Sequence, residues 1–485
     1  MDTSVDDAVP EPKREPESEP VPEAVSAGRK RSPAIAAGLS FLWPGLGQFF
    51  LGRRRAAAAF AVPAFVLAIV AAIQLSQGAL MFAASLWDQS YFVAVAGAAV
   101  VFGAWRILAV GHAFLSASEK GRPRPLEFAA VAALLALVLA MHGLFVAGAW
   151  AWYDTSVSIQ NNDIFAVGST SPGATTPASE PTPVDTSSFV PYGVTPSGSP
   201  APTQSPNPNR MTFLLIGSDF VTGRTHSLTD TLMLVSIDLS TEKVSFVSVP
   251  RDTSNFDLYY GGWVGPTFKI NTLLNSAGTK YLRSPDPPMK TLENEIGFLV
   301  GVPVNYYAAL DLNGFAKMVD ALGGIDIVNQ RAINDPSTGI VMAPGPVHLD
   351  GATAMLYVRS RENGGSDYLR SARQQTLLVA LEHKVVSPAG LGQLGTLLSL
   401  AGKTIGTDFP LSKARDYVSA AQRVSSIESC VLGPPYSYHP DTSTTGGTWT
   451  SRLDMARVAN LSVEMFGKDS RYYGQPGVVP APCGK

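Results

Sequence analysis

Four apolar blocks in the first third of the chain constrain its fold more than any other feature of the sequence. They lie at residues 34–52, 56–76, 91–117 and 127–152. A helix needs about 20 apolar residues to cross the ~30 Å hydrocarbon core of a bilayer, and the last three blocks are long enough. Composition agrees, because 15% of the 485 residues are charged, whereas soluble domains carry about 25%. We therefore expect residues 32–153 to form an α-helical membrane region.

The first block differs from the others because basic residues flank both of its ends. They occur at positions 29–31 before it and 53–55 after it. Basic loops usually face the cytoplasm, so both ends are expected on that side. Pro44 and Gly45 lie near its centre, where the chain can turn. The pattern predicts a re-entrant or interfacial hairpin over residues 34–52.

The other three blocks predict three membrane spans. A basic loop at 120–124 keeps the connection before the last span inside, so the chain leaves the membrane near Tyr153. The acidic, Pro-rich tail at 1–31 is then cytoplasmic and disordered. The alternative is four full spans, which would leave the C-terminal domain in the cytoplasm. Three spans predict a multi-pass protein of the cell membrane whose C-terminal domain is extracellular.

A Ser-, Thr- and Pro-rich segment at 154–209 predicts an extracellular linker. Residues 210–485 then predict one α/β domain. The 36 basic and 39 acidic residues give a net charge of −3, which argues against a nucleic-acid partner.

Apolar patterns in this domain predict alternating strands and helices. Strands are expected in MTFLLIGSD, TLMLVSIDLS and KVSFVSVPRDT, and the short LSTE connection predicts a hairpin between the last two. NYYAALDL and IDIVN predict further strands around a helix in LNGFAKMVDAL. The runs LDGATAMLYV and DYLRSARQQTLLVALEHKVV predict helices.

Arginines at the ends of these elements form the main candidate site. Arg251 follows the strand at 243–249, and other candidates lie in YVRSR and DYLRSARQQ, namely Arg359, Arg361, Arg370, Arg373 and Gln374. The last three share one helix face with Leu377 and Leu381, which marks it as the inward face. Inward arginines are costly unless an anion meets them, and guanidinium groups bind phosphate with paired hydrogen bonds. The spacing favours a diphosphate site; the alternative is pairing with carboxylates, for which the candidates are Asp252, Glu362 and Asp367.

Two aspartates complement the arginines. Asp219 ends the first predicted strand and Asp230 opens the second. If these strands are neighbours, both carboxylates lie at one sheet edge and could hold Mg²⁺ beside a phosphate. Two solvated loop aspartates are the alternative. Lys269 and Asn271 in the KIN run could supply a further phosphate contact.

Several of these motifs occur in the order of a known family. The series LLIGSD, TDTLMLVSID, SVPRDT, KIN, YYAALDLNGFAKMVDALGGIDI, LDGATAMLYVRSR and SDYLRSARQQ resembles the LytR-CpsA-Psr family of cell-wall glycopolymer ligases over about residues 211–385. The resemblance implies a mixed central β-sheet sandwiched by helices. It also implies a phosphotransferase that moves a glycopolymer from a polyprenyl diphosphate carrier in the membrane lipid to peptidoglycan, forming a phosphodiester. The residues so implicated are Asp219 and Asp230 for Mg²⁺, and Arg251, Arg359, Arg361, Arg370 and Gln374 for the diphosphate.

The sequence departs from the family pattern in one motif. Relatives usually have Arg-Ser-Asp before the second strand, where this chain has Leu228-Thr229-Asp230. Either Arg224 substitutes for the missing arginine or the phosphate is held more weakly. The rival functions are a polyprenyl diphosphate phosphatase or pyrophosphatase, and a non-catalytic regulator that binds wall polymer or lipid. The general base is left open, with Asp230 as a candidate.

Two further expectations concern packing. The helices at 374–386 and 392–402 could line a tunnel for the prenyl chain, or their leucines could be ordinary core. Cys430 and Cys483 are the only two cysteines, and both follow the last predicted span. Because disulfides persist outside the cytosol, we predict that they are paired; two unpaired thiols are the alternative.

Overall fold

The computed structural model describes residues 31–119, 123–161, 207–218, 229–276, 284–361 and 367–484. They form two compact units. One unit contains the chain up to Leu67 together with Val101–Met141, and the other contains Ala68–Val100 together with the chain from His142 onwards. Residues 1–30 of the predicted tail and most of the predicted linker lie outside the described residues.

Apolar helices occupy the N-terminal part of the described chain. They are α1 (Pro33–Leu42), α2 (Leu46–Phe50), α3 (Arg54–Ser76), α4 (Ala79–Ser85), α5 (Gln89–Ser118) and α6 (Pro125–Asn161). Helices α3, α5 and α6 are long and apolar enough to cross a membrane, which agrees with the predicted number of spans. Helix α6 continues to Asn161, so the first part of the segment predicted as linker is helical.

The first apolar block is a helical hairpin made of α1 and α2, and neither helix is long enough to span a bilayer. Gly45 at the turn has φ of +101°. A Cβ atom there would lie 2.5 Å from the carbonyl oxygen of Ala57. The turn therefore requires glycine for its backbone conformation and for its close approach to α3.

Polar side chains join the hairpin to α5 inside this apolar unit. Ser40 and Gln48 are fully buried. The Ser40 hydroxyl donates to Gln48 Oε1 at 2.9 Å, and Gln48 Nε2 donates to the carbonyl oxygen of Ala109 at 2.8 Å. Because buried polar groups are costly unless they are hydrogen-bonded, this network fixes the position of the hairpin against α5.

The strands of the C-terminal part are short, as in most globular domains. They are β1 (Arg210–Ser218), β2 (Thr229–Asp238), β3 (Lys243–Ser248), β4 (Tyr306–Asp311), β5 (Ile325–Asn329), β6 (Ile333–Asp335), β7 (Ile340–Met342), β8 (Gly345–Leu349), β9 (Ile405–Thr407), β10 (Ser426–Val431), β11 (Ser437–Tyr438) and β12 (Arg452–Leu453). The helices are α7 (Leu273–Ser276), α8 (Pro288–Val300), α9 (Leu312–Ala321), α10 (Gly351–Arg359), α11 (Asp367–Val386), α12 (Pro388–Gly392), α13 (Leu394–Thr404), α14 (Ala414–Ala421) and α15 (Met455–Phe466).

Six strands form one mixed sheet in the order β10-β3-β2-β1-β4-β9. Strand β2 pairs antiparallel with β1 and with β3, while the β1–β4 and β3–β10 pairs are parallel. The predicted hairpin is therefore confirmed as β2–β3. Strands β5–β8 form two small antiparallel pairs beside this sheet.

Helices cover both faces of the mixed sheet, as the predicted fold class requires. On one face, Leu214 and Leu234 belong to an apolar cluster with Leu292 of α8 and Leu461 of α15. On the other face, Met233 belongs to a cluster that α11 contacts through Leu378 and Val379. Alternate residues of the central strands therefore face opposite helical layers.

Leu377 of α11 and Leu397 of α13 pack in the core. Leu377 is 2% exposed and belongs to the cluster that contains Phe315 and Leu349. Leu397 packs with Leu381 and with residues of α9 in a neighbouring cluster. The core interpretation is confirmed for Leu377 and Leu397, and a prenyl tunnel between the helices remains a prediction.

Candidate active site

The β2–β3 register brings the first two site residues together. Met233 lies opposite Ser248 in this antiparallel pair. Asp230 precedes Met233 by three residues and Arg251 follows Ser248 by three, so both lie at the same edge of the sheet. The Arg251 guanidinium forms an ion pair with the Asp230 carboxylate there. The register of the β2–β3 pair therefore places Asp230 and Arg251 side by side.

The first turn of α11 adds a second ion pair to this edge. Arg370 is 4% exposed, and its Nη2 lies 2.9 Å from Asp367 Oδ1. The same nitrogen donates to the backbone carbonyl oxygen of Asp230 at 2.9 Å. Arg251 Nε lies 3.7 Å from Asp367 Oδ1. Asp367 is thus shared between two arginines that come from different elements.

Two further cations complete what we call the arginine cluster. Lys269 Nζ donates to Asp252 Oδ1 at 2.7 Å, and Arg361 Nη2 lies 3.9 Å from Asp367 Oδ1. The arginine cluster is defined by Arg251, Lys269, Arg361 and Arg370 with the carboxylates of Asp230, Asp252 and Asp367. The alternative of arginine–carboxylate pairing is therefore present in the structure. Among the described residues four cations face three carboxylates, while Asp219 and Glu362 lie outside them.

Two buried donors of the cluster have no hydrogen bond within the part of the chain that the structure describes. They are Arg251 Nε and Arg370 Nε. The carboxylates of Asp367 and Asp252, at 3.7 and 3.8 Å from Arg251 Nε, are too far for hydrogen bonds. An unsatisfied buried donor costs free energy. These donors and the excess positive charge suit an added anion with several oxygens, such as a diphosphate.

Burial and charge shift the pKa values of the cluster in different directions. Burial raises the pKa of Asp367, even though Arg370 and Arg251 oppose the shift. Burial also lowers the pKa of Arg370. For Arg251, burial lowers the pKa but the nearby carboxylates, led by Asp230, outweigh it, so the pKa rises overall. The existing pairs therefore compensate incompletely for the desolvation of Asp367 and Arg370, whereas the carboxylates around Arg251 compensate for its burial in full.

Two predicted diphosphate ligands on α11 instead contact the end of α10. Arg373 Nε donates to the carbonyl oxygen of Tyr357 at 3.1 Å, and its Nη2 donates to that of Ser360. Gln374 Nε2 lies 3.5 Å from the carbonyl oxygen of Val358. The inward orientation of Arg373 is as predicted, and it satisfies carbonyl groups left open at the C-terminus of a helix. Through these contacts α11 positions the segment that carries Arg361.

Of the remaining predicted residues, only Arg359 lies within the described chain. Arg359 is exposed in the last turn of α10. Asp219 lies outside the described residues, as do Arg224, Leu228 and Glu362. Strand β1 nevertheless pairs with β2 up to Ser218 opposite Thr229. The expectation that these two strands are neighbours is confirmed.

The described residues offer oxygen ligands for a divalent cation but no complete metal site. Among them no group of three or more His, Cys, Asp or Glu side chains is arranged to hold a metal ion. Asn271 is 4% exposed, and its side-chain Oδ1 is buried with no hydrogen-bond partner in the described structure. Its backbone is bonded to Thr229 and Arg251. Because Mg²⁺ needs only one or two carboxylates when a phosphate supplies other ligands, the oxygens of Asp230 and Asn271 fit this role.

Sequence reasoning missed a network that adjoins the cluster. The Tyr368 hydroxyl lies 3.0 Å from His439 Nε2 and 3.0 Å from Ser437 Oγ. The His439 ring lies over Trp449, with centroids 4.1 Å apart. Tyr368 follows Asp367 directly, so this network borders the arginine cluster. The partners are about 70 positions apart and form no motif, so only the neighbour relation of Tyr368 to Asp367 could have indicated it.

Comparison with known proteins supports the assignment made from the motifs. The model of the LytR_cpsA_psr family matches residues 193–461, which is more than half of the chain. This protein belongs to the LytR-CpsA-Psr family. The match includes all strands of the mixed sheet and every residue of the arginine cluster.

Curated members of the LytR-CpsA-Psr family show moderate identity. The polyisoprenyl-teichoic acid–peptidoglycan teichoic acid transferase TagU of Bacillus mycoides is 28% identical over 242 residues, which cover 48% of this chain and 74% of TagU. TagV of Bacillus subtilis, which has the same descriptive name, is 25% identical over 201 residues, covering 40% of this chain and 48% of TagV. The cell wall biosynthesis protein LcpA of Corynebacterium glutamicum is 30% identical over 190 residues, covering 36% of each chain. This chain therefore spans about half or less of TagV and LcpA.

Solved structures of the family align with the same part of this chain. The crystal structure of B. subtilis TagV is 20% identical, with a TM-score of 0.42, and the alignment covers 53% of this chain and 97% of that one. A structure of TagT bound to LIIa-WTA aligns with a TM-score of 0.39 at 20% identity, covering 53% of this chain and 90% of that one.

Proposed function

We propose that this protein transfers a glycopolymer from a polyprenyl diphosphate carrier to peptidoglycan, with the catalytic domain outside the cell. The observation that carries the proposal is the arginine cluster with its two unsatisfied buried donors, Arg251 Nε and Arg370 Nε. The curated relatives are named as transferases between a polyisoprenyl-linked polymer and peptidoglycan. A lipid-linked donor also fits a chain with three helices apolar enough to cross a membrane.

In the proposed reaction, a hydroxyl oxygen of peptidoglycan forms a bond to the phosphorus that carries the glycan. The bond from that phosphorus to the bridging oxygen breaks, polyprenyl phosphate leaves, and the hydroxyl proton is released. Negative charge increases on the phosphoryl oxygens and on the leaving group. Arg251 and Arg370 are held in place by Asp230 and Asp367 before substrate binds, so they can stabilise this charge without reorganising.

Arg361 has a different part in this proposal. Its side chain is 43% exposed and only loosely paired with Asp367. It is therefore free to turn from Asp367 to the donor phosphate. Arg373 and Gln374 act indirectly, because they hold the end of α10 that precedes Arg361.

We also propose Mg²⁺ as the cofactor, held by Asp219 and Asp230 with Asn271 nearby. The support is the buried, unpartnered Asn271 Oδ1 and the oxygen-only donor set at this edge of the sheet. When bound, Mg²⁺ would neutralise charge on the phosphoryl oxygens. Asp230 is then shared between the metal and Arg251, which couples the metal to the arginine cluster.

The test is a reconstituted reaction with the full-length protein in detergent. A polyprenyl diphosphate-linked glycan is supplied with or without peptidoglycan fragments, and mass spectrometry identifies the products. We expect a phosphodiester-linked glycan and polyprenyl phosphate only when the acceptor is present. Release of the glycan phosphate or of inorganic phosphate without acceptor would instead identify a phosphatase or pyrophosphatase, and binding without turnover would identify a regulator.

A further inference from the structure

A cavity lies beside the segment that leads away from the arginine cluster. The volume of this cavity is about 390 Å³, within the ~300–1,000 Å³ range of small-molecule sites. The charged, amide and aromatic side chains that line it and enter the argument are Asn255, Asp257, Trp263, Phe298, Arg452 and Arg471. None of them belongs to the arginine cluster.

Backbone pairing connects the cavity to the cluster. Ser451 N donates to the Asp252 carbonyl oxygen at 2.8 Å, and Ser254 N donates to the Ser451 carbonyl oxygen at 2.8 Å. Asp252 belongs to the cluster, whereas Asn255 and Arg452 line the cavity. Since consecutive Cα atoms are ~3.8 Å apart, the Cα atoms of Asp252 and Asn255 are at most ~11 Å apart. A ligand in the cavity would therefore lie next to the proposed reaction site.

The cavity contains two guanidinium groups for which the described residues supply no ion-pair partner. In the described structure neither Arg452 nor Arg471 forms an ion pair within 4 Å. With its amide oxygen turned toward Arg452, Asn255 accepts from Nε at 3.0 Å and from Nη1 at 3.1 Å. The Arg471 guanidinium lies 3.6 Å from the ring centroid of Phe298. Both cations are thus oriented by neutral groups, which leaves their charge available to a ligand.

An aromatic side chain forms the exposed part of the cavity wall. Trp263 is 46% exposed, and its backbone pairs with that of Asp257. A large ring that stays half-exposed beside a cavity offers a flat apolar face to a ligand. The apolar C–H face of a pyranose ring has the matching shape, and the Asp257 carboxylate can accept from sugar hydroxyl groups.

We propose that this cavity binds a saccharide unit that carries a carboxylate. Arg452 and Arg471 with Asp257 give the cavity a local charge of +1, which one carboxylate balances. A guanidinium binds a carboxylate with two parallel hydrogen bonds, while Trp263 stacks on the sugar ring. A phosphate dianion fits less well because it exceeds the local charge and approaches Asp257. The proposal concerns a site separate from the arginine cluster, so it stands or falls independently of the transfer activity.

The test measures binding to the full-length protein in detergent by ligand-observed NMR titration. The probes are N-acetylmuramic acid and glucuronic acid, with N-acetylglucosamine and glucose as their neutral counterparts and inorganic phosphate as a simple anion. We expect both acids to bind and the neutral sugars to bind at least about tenfold more weakly. Tighter binding of glucuronic acid identifies a uronic-acid unit as the ligand, and tighter binding of N-acetylmuramic acid identifies a muramic acid residue whose carboxylate is not joined to a stem peptide. Equal binding of acids and neutral sugars, or tighter binding of phosphate, would overturn the proposal.

Variants assign the binding to this cavity. Arg452→Gln should weaken acid binding about tenfold, and Trp263→Ala should weaken it several-fold. Arg457→Gln is the matched control, because Arg457 is an exposed arginine paired with Asp454 outside the cavity. Arg361→Gln is the second control and removes a cation from the arginine cluster. If Arg361→Gln abolishes acid binding while Arg452→Gln and Trp263→Ala do not change it, the acids bind at the arginine cluster and the proposal is wrong.

Discussion

Arg361 and Arg370 contact the same carboxylate but differ in burial, and this difference allows loss of activity to be separated from loss of stability. Arg361→Gln should reduce transfer about 100-fold with an unchanged melting temperature, because its side chain is 43% exposed. Arg370→Gln should reduce transfer and also lower the melting temperature. It leaves the buried Asp367 carboxylate without its closest cation, which costs ~3–5 kcal/mol of folding free energy. Transfer assays and thermal unfolding measure the two effects.

Arg331→Gln is the control for this pair, since Arg331 is an exposed arginine outside the cluster. It should match the wild type in both measurements. If Arg361→Gln transfers glycan as fast as the wild type, Arg361 does not bind the donor phosphate. An unchanged melting temperature for Arg370→Gln would show that Asp367 tolerates the loss of its partner.

Replacing Asp230 tests divalent-cation binding separately from the role of the arginines. Asp230→Asn keeps an oxygen but removes the charge, so divalent-cation affinity should fall at least about tenfold. Mn²⁺ binding, followed by electron paramagnetic resonance as a probe for Mg²⁺, measures this without any turnover. Asp416→Asn, at an exposed aspartate, should bind Mn²⁺ like the wild type. Full transfer activity in chelator together with no Mn²⁺ binding would exclude the metal and leave the arginine hypothesis standing.

Glu295 should make stability depend on pH. It is 2% exposed, and burial raises its pKa from 4.5 to about 8. Between these values the folded protein holds a proton that the unfolded chain has lost, so stability falls as the pH rises from about 4.5 to about 8. Glu295→Gln keeps an oxygen to accept from Tyr259 N and should flatten this dependence.

Melting temperatures between pH 5 and pH 9 check the effect of Glu295. The melting temperature of Glu295→Gln should exceed that of the wild type most at the upper end of this range. Glu428→Gln is the control, because Glu428 is a half-exposed glutamate in β10 whose removal should leave the slope intact. Parallel curves for wild type and Glu295→Gln would show that Glu295 does not titrate with a raised pKa.

Single residues also show what the sequence can and cannot predict. Helical spacing predicts that Arg370 and Arg373 face inward, and both are buried. Spacing does not predict that Arg370 meets Asp367 while Arg373 meets the carbonyl groups of Tyr357 and Ser360. That distinction depends on where α10 ends relative to α11, which is set by tertiary packing.

At the scale of elements, predictability follows the length of the apolar pattern. Strands β1–β3 have six to ten residues with clear apolar runs, and they lie where the sequence predicts them. Strands β11 and β12 have two residues each and pair only with each other. Two residues carry no periodicity, so their pairing becomes visible only after distant segments have packed together.

The hairpin of α1 and α2 offers a test at this scale. Gln48→Leu removes the side chain that joins Ser40 to the Ala109 carbonyl group. The Ser40 hydroxyl and the Ala109 carbonyl group would then stay buried without this partner. That costs ~1–3 kcal/mol, so the melting temperature in detergent should fall. Gln74→Leu in α3 is the control and should be neutral. Equal melting temperatures for the two variants would show that packing alone holds the hairpin.

At the scale of the whole molecule, Ala68–Val100 and the C-terminal part of α6 belong to one compact unit with the C-terminal domain. Ile159 of α6 packs in one apolar cluster with Met211 of β1 and with Phe409. Arg415 of α14 donates to Gln77 Oε1 at 2.6 Å. These contacts come from segments far apart in sequence, so composition could predict a linker but not that the end of α6 packs against the domain.

The disulfide tests the location of this whole unit. Cys430 of β10 is bonded to Cys483, 53 positions further on, and Gly484 N donates to the Tyr436 hydroxyl at 3.0 Å. Closing a loop of this length contributes at most ~4 kcal/mol through the entropy of the unfolded chain, so Cys483→Ser should lower the melting temperature. In native membranes, non-reducing mass spectrometry should find the two cysteines in one linked peptide pair, because such bonds persist only outside the reducing cytosol. Two alkylatable thiols in the folded protein would contradict the bridge and, with it, the extracellular position of the catalytic domain.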